Sequence, residues 1–333
     1  MARKKQPTII ILATGGTIAG VTTTKSATTN YKAGAITIQT LLAQIPESTK
    51  LGHIKTEQIS NIDSADMTSA LWLKLAQRIN ILMKQDNISG IVLTHGSDTM
   101  EESAFFLHLV VNSNKPVVLT GAMRPSTAVS ADGAKNLYNA IALAANPDAQ
   151  GKGVMIVFND RIQSARYATK IHTLNPDAFS SPNCGDMGYM IDGKAYFYYT
   201  PLYPHTKRSI FRVDSLATLP KVDILYSYTD DGSGVAAQAL YATGTQGLVI
   251  AGSGSGSIHR NQKDVLKKLI QQGFVVVRSS RINAGLIATN AQDSKLGFIS
   301  AKDLNPQKAR ILLLLALTQT NNHKEIEKIF ECY

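Results

Sequence analysis

Ile9-Ile10-Ile11-Leu12-Ala13-Thr14-Gly15-Gly16-Thr17 decides how the rest of the chain is read. An unbroken apolar run rich in β-branched residues spells a strand buried on both faces. The Gly-Gly pair after it permits a sharp turn with left-handed dihedrals and close backbone approach. Thr14 and Thr17 flank that turn, and the carboxyl end of a strand is where open α/β sheets place their ligands. Taken alone, the stretch also fits a plain strand-ending turn whose threonines bond their own backbone. The wider pattern decides between the two.

Downstream the same grammar returns. Gly90-Ile91-Val92-Leu93-Thr94 is a second buried strand, followed by His95-Gly96-Ser97-Asp98-Thr99, and residues 116–120 run into Gly121-Ala122-Met123-Arg124-Pro125. Further strands are expected over 53–62 and 153–158, and helices over 36–45, 67–83 and 131–145. Within 67–83 the apolar residues Leu71, Leu75, Ile79 and Leu82 recur at helical spacing, with Asp66 as the expected N-cap. Met100-Glu101-Glu102 opens another helix with acids in its first turn, where the helix dipole favours them.

Strand, polar turn and helix in alternation predict an α/β fold: a larger N-terminal domain with a mostly parallel sheet flanked by helices. Residues 20–31, rich in threonine and without apolar periodicity, read as a mobile loop beside the first strand end, suited to a lid. A hairpin turning at Asp192-Gly193 is expected over 190–199. Pro204 and Pro220 bound a stretch with no clear period, read as a linker over 202–221 between a domain at 1–201 and a smaller C-terminal α/β domain at 222–333. In that second domain, strands over 222–228, 247–251 and 274–277 alternate with helices over 234–241 and 261–272. Helices over 306–317 and 323–330 close the chain.

The chain has 333 residues, 44% apolar and 17% charged, which suits a globular protein of two domains. Its net charge of +10 raises nucleic acid as a partner. The basic residues are spread out and cluster only at Arg3-Lys4-Lys5, so no nucleic-acid footprint is read. Cys184 and Cys332 cannot build a disulfide framework, and no Cys/His spacing suits a metal. The longest wholly apolar run, 311–317, falls well short of the ~18 residues of a membrane span. Arg3-Lys4-Lys5 before an apolar run faintly resembles a signal peptide, but the run breaks at Thr14 before reaching the ~7 residues of a minimal core. As written the chain reads as cytoplasmic, or periplasmic if a leader has been removed.

In a parallel sheet the turns after the strands at 9–13, 90–94 and 116–120 gather along one edge. They bring hydroxyls at Thr17 and Ser97, a carboxylate at Asp98 and several backbone N–H groups, an inventory for nucleophilic acyl transfer with an oxyanion hole. A threonine hydroxyl needs an activating neighbour. No Gly-x-Ser-x-Gly elbow is present, which sets aside an ordinary Ser-His-Asp hydrolase. His95 is a candidate base by type, although the end of a buried strand suits a structural histidine better. Lys170 and Tyr31 are the better candidates, since a lysine held by a carboxylate can serve as a base.

Ile11-Leu12-Ala13-Thr14-Gly15-Gly16-Thr17-Ile18-Ala19-Gly20 resembles the first signature of bacterial type II L-asparaginases, and Thr94-His95-Gly96-Ser97-Asp98-Thr99-Met100-Glu101-Glu102 the second. The similarity continues through Gly121–Ser126, Ser130–Gly133, Arg278–Arg281 and Leu304–Arg310, and so covers essentially the whole chain in order. The resemblance implies hydrolysis of L-asparagine to L-aspartate and ammonia, without metal or cofactor and with no membrane or nucleic-acid partner. It implies Thr17 as the nucleophile of an acyl-enzyme, helped by Tyr31 on the lid. Ser97, Asp98 and Lys170 would form a second group in which Lys170 polarises the Ser97 hydroxyl and Asp98 both steadies the lysine and holds the substrate ammonium. Backbone N–H groups of Thr17 and Ser97 would face the oxyanion. Ser64, with the backbones of Asp63 and Gly96, would hold the α-carboxylate, and the Ala122 carbonyl would lie near the leaving ammonia. Ser257 and Gln292 would complete the site from a neighbouring subunit, in a homotetramer of two intimate dimers.

The departures concern the substrate. The family usually has threonine where Ser97 stands, and Gln or Glu where Ala65 stands. A glutamate of the neighbouring subunit falls nearest Gln292, in a shortened segment. Substrate affinity and the asparagine-to-glutamine ratio are therefore open, and a glutaminase-asparaginase of relaxed specificity is the alternative. The glycine loop Ala251–Ser257 lacks the Gly-x-Gly-x-x-Gly spacing of a dinucleotide site. An archaeal amidotransferase subunit would carry an extra domain before its Thr-Gly-Gly-Thr motif, which here begins at Thr14. A non-catalytic amino-acid-binding protein on the same scaffold would not need Thr17, Tyr31, Ser97, Asp98 and Lys170 together.

Overall fold

The computed structural model describes residues 6–26, 28–288 and 291–333, with the side chain of Gln292 outside them. The chain divides into two compact units, the first running to Ser215 and the second from Leu216 to Tyr333. In chain order the first contains β1 (Thr8–Gly15), β2 (Val21–Thr22), β3 (Tyr31–Lys32), α1 (Ile38–Ala43), β4 (His53–Ile62), α2 (Ser69–Met83), β5 (Gly90–Thr94), α3 (Met100–Val110) and β6 (Val117–Thr120). There follow α4 (Gly133–Ala145), β7 (Val154–Phe158), β8 (Arg161–Ser164), β9 (Thr169–Lys170), β10 (Phe179–Ser180), β11 (Gly188–Ile191) and β12 (Lys194–Phe197).

Eight of these strands form one sheet in the order β12-β11-β8-β7-β6-β5-β1-β4. The strands from β4 to β7 are parallel, and β8, β11 and β12 extend the β7 edge antiparallel. Central strands alternate between two buried faces. Ile9, Ile11 and Ala13 share a core with α1 and α4, while Ile10 and Leu12, equally buried, point the other way. On that second face α2 packs on α3, Trp72 stacking on Phe106 at 5.1 Å, and α3 lies on β6 and β7. The crossovers through α1, α2 and α3 share one hand, and the one through α4 has the other, a rarity among parallel sheets. Because β1 leads outward to β4 and the chain then returns to β5, the strand order reverses at β1. The crevice beyond β1 and β5 is therefore the topological switch point, where such sheets bind ligands.

Local chemistry moved some element ends. The helix expected to begin at Met67 begins at Ser69, and its cap is Thr68, whose hydroxyl accepts from Leu71 N–H at 3.3 Å. Asp66 instead ends a short 3-10 turn over Ser64–Asp66 that Asp63 caps through the Ala65 N–H at 3.1 Å. The threonine-rich segment carries a short antiparallel pair, Thr22 against Tyr31. It is tied to the loop at 125–131: Thr22 N–H donates to Thr127 Oγ1 at 2.9 Å, and Val129 N–H to the Lys25 carbonyl at 2.8 Å. The hairpin turns at Asp192 and Gly193, both left-handed (φ 49° and 76°), as a two-residue turn between right-twisted strands requires. Within 202–215 Phe211 and Val213 are fully buried, and Asp214 accepts from Asn80 at 2.7 Å.

The second unit is a four-stranded parallel sheet, β13 (Val222–Tyr226), β14 (Gly247–Gly252), β15 (Val275–Ser280) and β16 (Phe298–Ser300), in that order. α5 (Gly234–Ala242) and α6 (Arg260–Gln271) share a core with Leu248, Ile250 and Val276, and α8 (Pro306–Ala316) packs on β13, β14 and β15. α7 (Ala291–Lys295) precedes β16, and α9 (His323–Cys332) packs on α8 and β16. Among the described residues no helix is long and apolar enough to cross a membrane.

Two glycines at the end of β1 set the geometry of the switch point. Gly15 (φ 103°) lies so close to β4 that a Cβ there would sit 2.6 Å from the Ile62 carbonyl oxygen. Gly16 (φ 80°) lies against the β5 turn, and its Cβ would sit 2.4 Å from the Gly96 Cα. Both the dihedral and the contact exclude a side chain. Gly16→Ala is therefore expected to cost about 2–4 kcal/mol of stability, strain and overpacking together. At Gly151 (φ 71°), with nothing within 4 Å, the same change is expected to cost only about 1–2 kcal/mol from backbone strain. Urea unfolding of the two variants side by side measures the difference.

Candidate active site

Three strand ends supply the site. After β1, Thr14 is structural: it is buried, and its hydroxyl donates to the Thr94 carbonyl at 2.9 Å, stapling β1 to β5 beneath the turn. Thr17 opens a 3-10 turn over Thr17–Ala19, buried, with its Oγ1 2.6 Å from the Tyr31 hydroxyl. Tyr31 reaches it because β3 folds back on β2 and its ring lies over Gly20, where a Cβ would stand 2.8 Å from the ring.

After β5, Ser97 is buried and Asp98 exposed. The Lys170 ammonium, carried in from β9, donates to Ser97 Oγ at 2.9 Å and to Asp98 Oδ1 at 2.5 Å. Ser97 Oγ also donates to Asp98 Oδ1 at a long 3.5 Å, and the lysine joins the two by shorter bonds. A lysine that donates to the Ser97 oxygen leaves the hydroxyl hydrogen held only by that long bond to Asp98, and so available to a ligand. Ser64 is buried against the same turn, where a Cβ on Gly96 would fall 2.6 Å from its Oγ, and the Thr99 hydroxyl donates to the Ser64 carbonyl at 2.7 Å. Asp63 is exposed and caps the turn that carries Ser64.

After β6, Ala122 is fully buried, and its turn is held by residues that sequence reading assigned no role. Asp132 accepts from the N–H groups of Met123 (3.0 Å) and Arg124 (2.9 Å), and Asn136 donates to the Gly121 carbonyl at 3.0 Å. Burial raises the Asp132 pKa, and those N–H bonds oppose the rise. The Ser130–Gly133 motif contained the signal, although a helix cap would have been its natural reading.

His95 is not a base here. It is fully buried, with Nδ1 2.7 Å from the Gly96 carbonyl and Nε2 2.8 Å from Ser103 Oγ, which also takes the Trp72 indole N–H at 2.8 Å. Since a carbonyl only accepts, Nδ1 carries the proton and Nε2 accepts from Ser103. Burial pushes this histidine down to about 4. It is the structural residue that its strand position suggested.

Ser257 belongs to the second unit, exposed on a tight loop closed by reciprocal backbone bonds with Ser253 at 2.7 and 2.9 Å. Gln292 stands on α7, and its side chain lies outside the described residues. Among the described residues no group of three His, Cys, Asp or Glu side chains could hold a metal ion. Two buried hydroxyls, one backed by a phenol and one by a lysine–carboxylate pair, at the switch point of a parallel sheet, have the chemistry of an acyl-transfer site.

Comparison with known proteins agrees. A family model described as asparaginase, N-terminal, matches residues 8–203, and one described as glutaminase/asparaginase C-terminal domain matches residues 221–330. The chain is 46% identical to L-asparaginase 2 of Bacillus subtilis (strain 168), over 99% of this chain and 88% of the relative. It is 41% identical to a glutaminase-asparaginase of Pseudomonas fluorescens biotype A, over 98% of this chain and 91% of the relative. It also superposes on the crystal structure of a probable cytoplasmic L-asparaginase from Campylobacter jejuni with TM-score 0.97 and 58% identity, covering 98% of this chain and 100% of the other. The chain belongs to the asparaginase family.

His95 makes stability depend on pH. Unfolded, it titrates near ~6.5; folded, near 4, because charging it would desolvate an imidazolium. Its contribution is fully present above about 6.5 and is lost as pH falls toward 4, since only the unfolded chain takes up the proton in that window. Between pH 7 and 4.5 the expected loss is about 2–3 kcal/mol from this residue. Urea unfolding of His95→Gln at both pH values should show a correspondingly shallower dependence than the parent chain.

Proposed function

We propose that the protein hydrolyses L-asparagine to L-aspartate and ammonia through an acyl-enzyme on Thr17. The observation that carries this is the pairing of two hydroxyls with separate proton partners, Thr17 with Tyr31 and Ser97 with Lys170, on loops whose glycine backbones touch. The reacting groups belong to the domain over 1–201, and 222–333 contributes Ser257 and Gln292 across a subunit boundary.

The Ser64 hydroxyl and the backbones of Asp63 and Gly96 take the substrate α-carboxylate, and Asp98 takes the α-ammonium. Thr17 Oγ1 attacks the side-chain amide carbon and gives its proton toward the Tyr31 hydroxyl. The N–H groups of Thr17 and Ser97 receive the charge that develops on the carbonyl oxygen. The C–N bond breaks as Tyr31, receiving the Thr17 proton, passes its own phenolic proton to the nitrogen, which leaves as ammonia past the Ala122 carbonyl. Water, oriented by the Ser97 hydroxyl that Lys170 polarises, then attacks the Thr17 ester, and its proton passes through the Tyr31 hydroxyl toward the Thr17 oxygen. The Thr17 oxygen recovers a proton as aspartate departs. One water is consumed, one ammonia is released, and nothing is oxidised or reduced.

Ala65 favours a second possibility, a glutaminase-asparaginase of relaxed specificity. Its short, exposed side chain brings neither amide nor carboxylate to the substrate amino group. Ammonia release from asparagine and from glutamine, measured side by side, decides between the two. In that assay Thr17→Ala should lose at least ~10³-fold in kcat and Tyr31→Phe about 10²-fold, both with native circular dichroism. Full activity in Thr17→Ala would overturn the mechanism.

The site borrows residues from a neighbour, so the working state is a homotetramer of two intimate dimers. Sedimentation velocity should give a single species with the mass of four chains that carries the activity. An active monomer would contradict it.

A further inference from the structure

The geometry points to Glu101 as the positioning residue for Lys170, so that α3 sets the whole Ser97–Lys170–Asp98 group; this rests on the role given to Lys170 above. Glu101 stands in the first turn of α3, three residues after Asp98 in the sequence. Only 4% of it is exposed, and its Oε2 accepts the backbone N–H of Lys170 at 2.6 Å, across a sequence separation of 69. A buried carboxylate is costly unless strongly bonded, and a charged acceptor on a backbone N–H makes a short, strong bond. The helix N-terminus favours the same charge.

β9 is two residues long and pairs with β10 alone, Lys170 opposite Phe179 and Thr169 opposite Ser180, with the Ile171 N–H returning to the Ala178 carbonyl at 2.8 Å. Glu101 therefore ties the outer edge of that strand to the helix whose approach carries Ser97 and Asp98. Lys170 is gripped at both ends, its Nζ by Ser97 and Asp98 and its main chain by Glu101. A helix-dipole partner alone would have no reason to be buried or to reach another strand.

The test is a double-mutant cycle of Glu101→Ala and Lys170→Met, read by kcat and KM for ammonia release. Glu101→Ala should lower kcat roughly 10- to 100-fold and move KM less than about threefold, as for a group displaced by about 1 Å. In the Lys170→Met background the same change should cost less than about twofold. Glu101→Gln, whose amide oxygen can still accept the N–H, should recover most of the loss. An unchanged kcat in folded Glu101→Ala, or an equal loss with and without Lys170, overturns the positioning role. Full activity in Lys170→Met alone instead overturns the role of the lysine itself, and this inference with it. Should Glu101→Ala not fold, Glu101→Asp, one methylene shorter, takes its place in the cycle with the same two overturning results.

Discussion

Gly16 rests on Gly96, backbone against backbone, and the site depends on that contact. A side chain on Gly16 would come within 2.4 Å of the Gly96 Cα, and one on Gly96 within 2.6 Å of the Ser64 hydroxyl oxygen. Three loops from three strands thus meet with nothing between them. Thr17 and Ser97, each one residue beyond its glycine, are brought to the same crevice while drawing on different proton partners. Close approach also shields the backbone groups there, so the turns must satisfy them internally.

They do so with carboxylates as well as main chain. Gly16 N–H goes to the Ile62 carbonyl, but Met123 and Arg124 N–H go to Asp132, Ala65 N–H to Asp63, and Lys170 N–H to Glu101. Strand ends that leave the ladder keep donors without partners, and a charged acceptor fixes such a donor more firmly than a neutral one. The acids around the crevice are therefore divided in their work. Asp98 is exposed and faces the lysine head, while Glu101 is buried and holds a loop in place.

Much of the fold could be read from local pattern. The strands β1, β5 and β7 are apolar runs because both their faces are buried, and α2 announces itself by the period of Leu71, Leu75, Ile79 and Leu82. The mostly parallel sheet followed from the alternation of these elements. Shorter pieces had no such signature. β9 and β10, two residues each, are recognised by their pairing with one another, and β16 is too short to carry a period. The start of α2 shifted from Asp66 to Thr68 because the turn presenting Ser64 occupies the residues between, which no propensity records.

The sequence by itself determined the order of the elements, the glycines that end β1 and β5, and the residue types able to perform acyl transfer. Those follow from side-chain chemistry and from periods that span a few neighbouring residues. The resemblance had already paired Tyr31 with Thr17 and Lys170 with Ser97, which stand 2.6 and 2.9 Å apart. Only the tertiary structure gave Asp132 to the Ala122 turn and Glu101 to the Lys170 backbone. It also withdrew His95 into a neutral, buried chain of hydrogen bonds. Such pairings join residues far apart in the chain, and burial and hydrogen-bond satisfaction act on what is close in space, whatever its distance along the backbone.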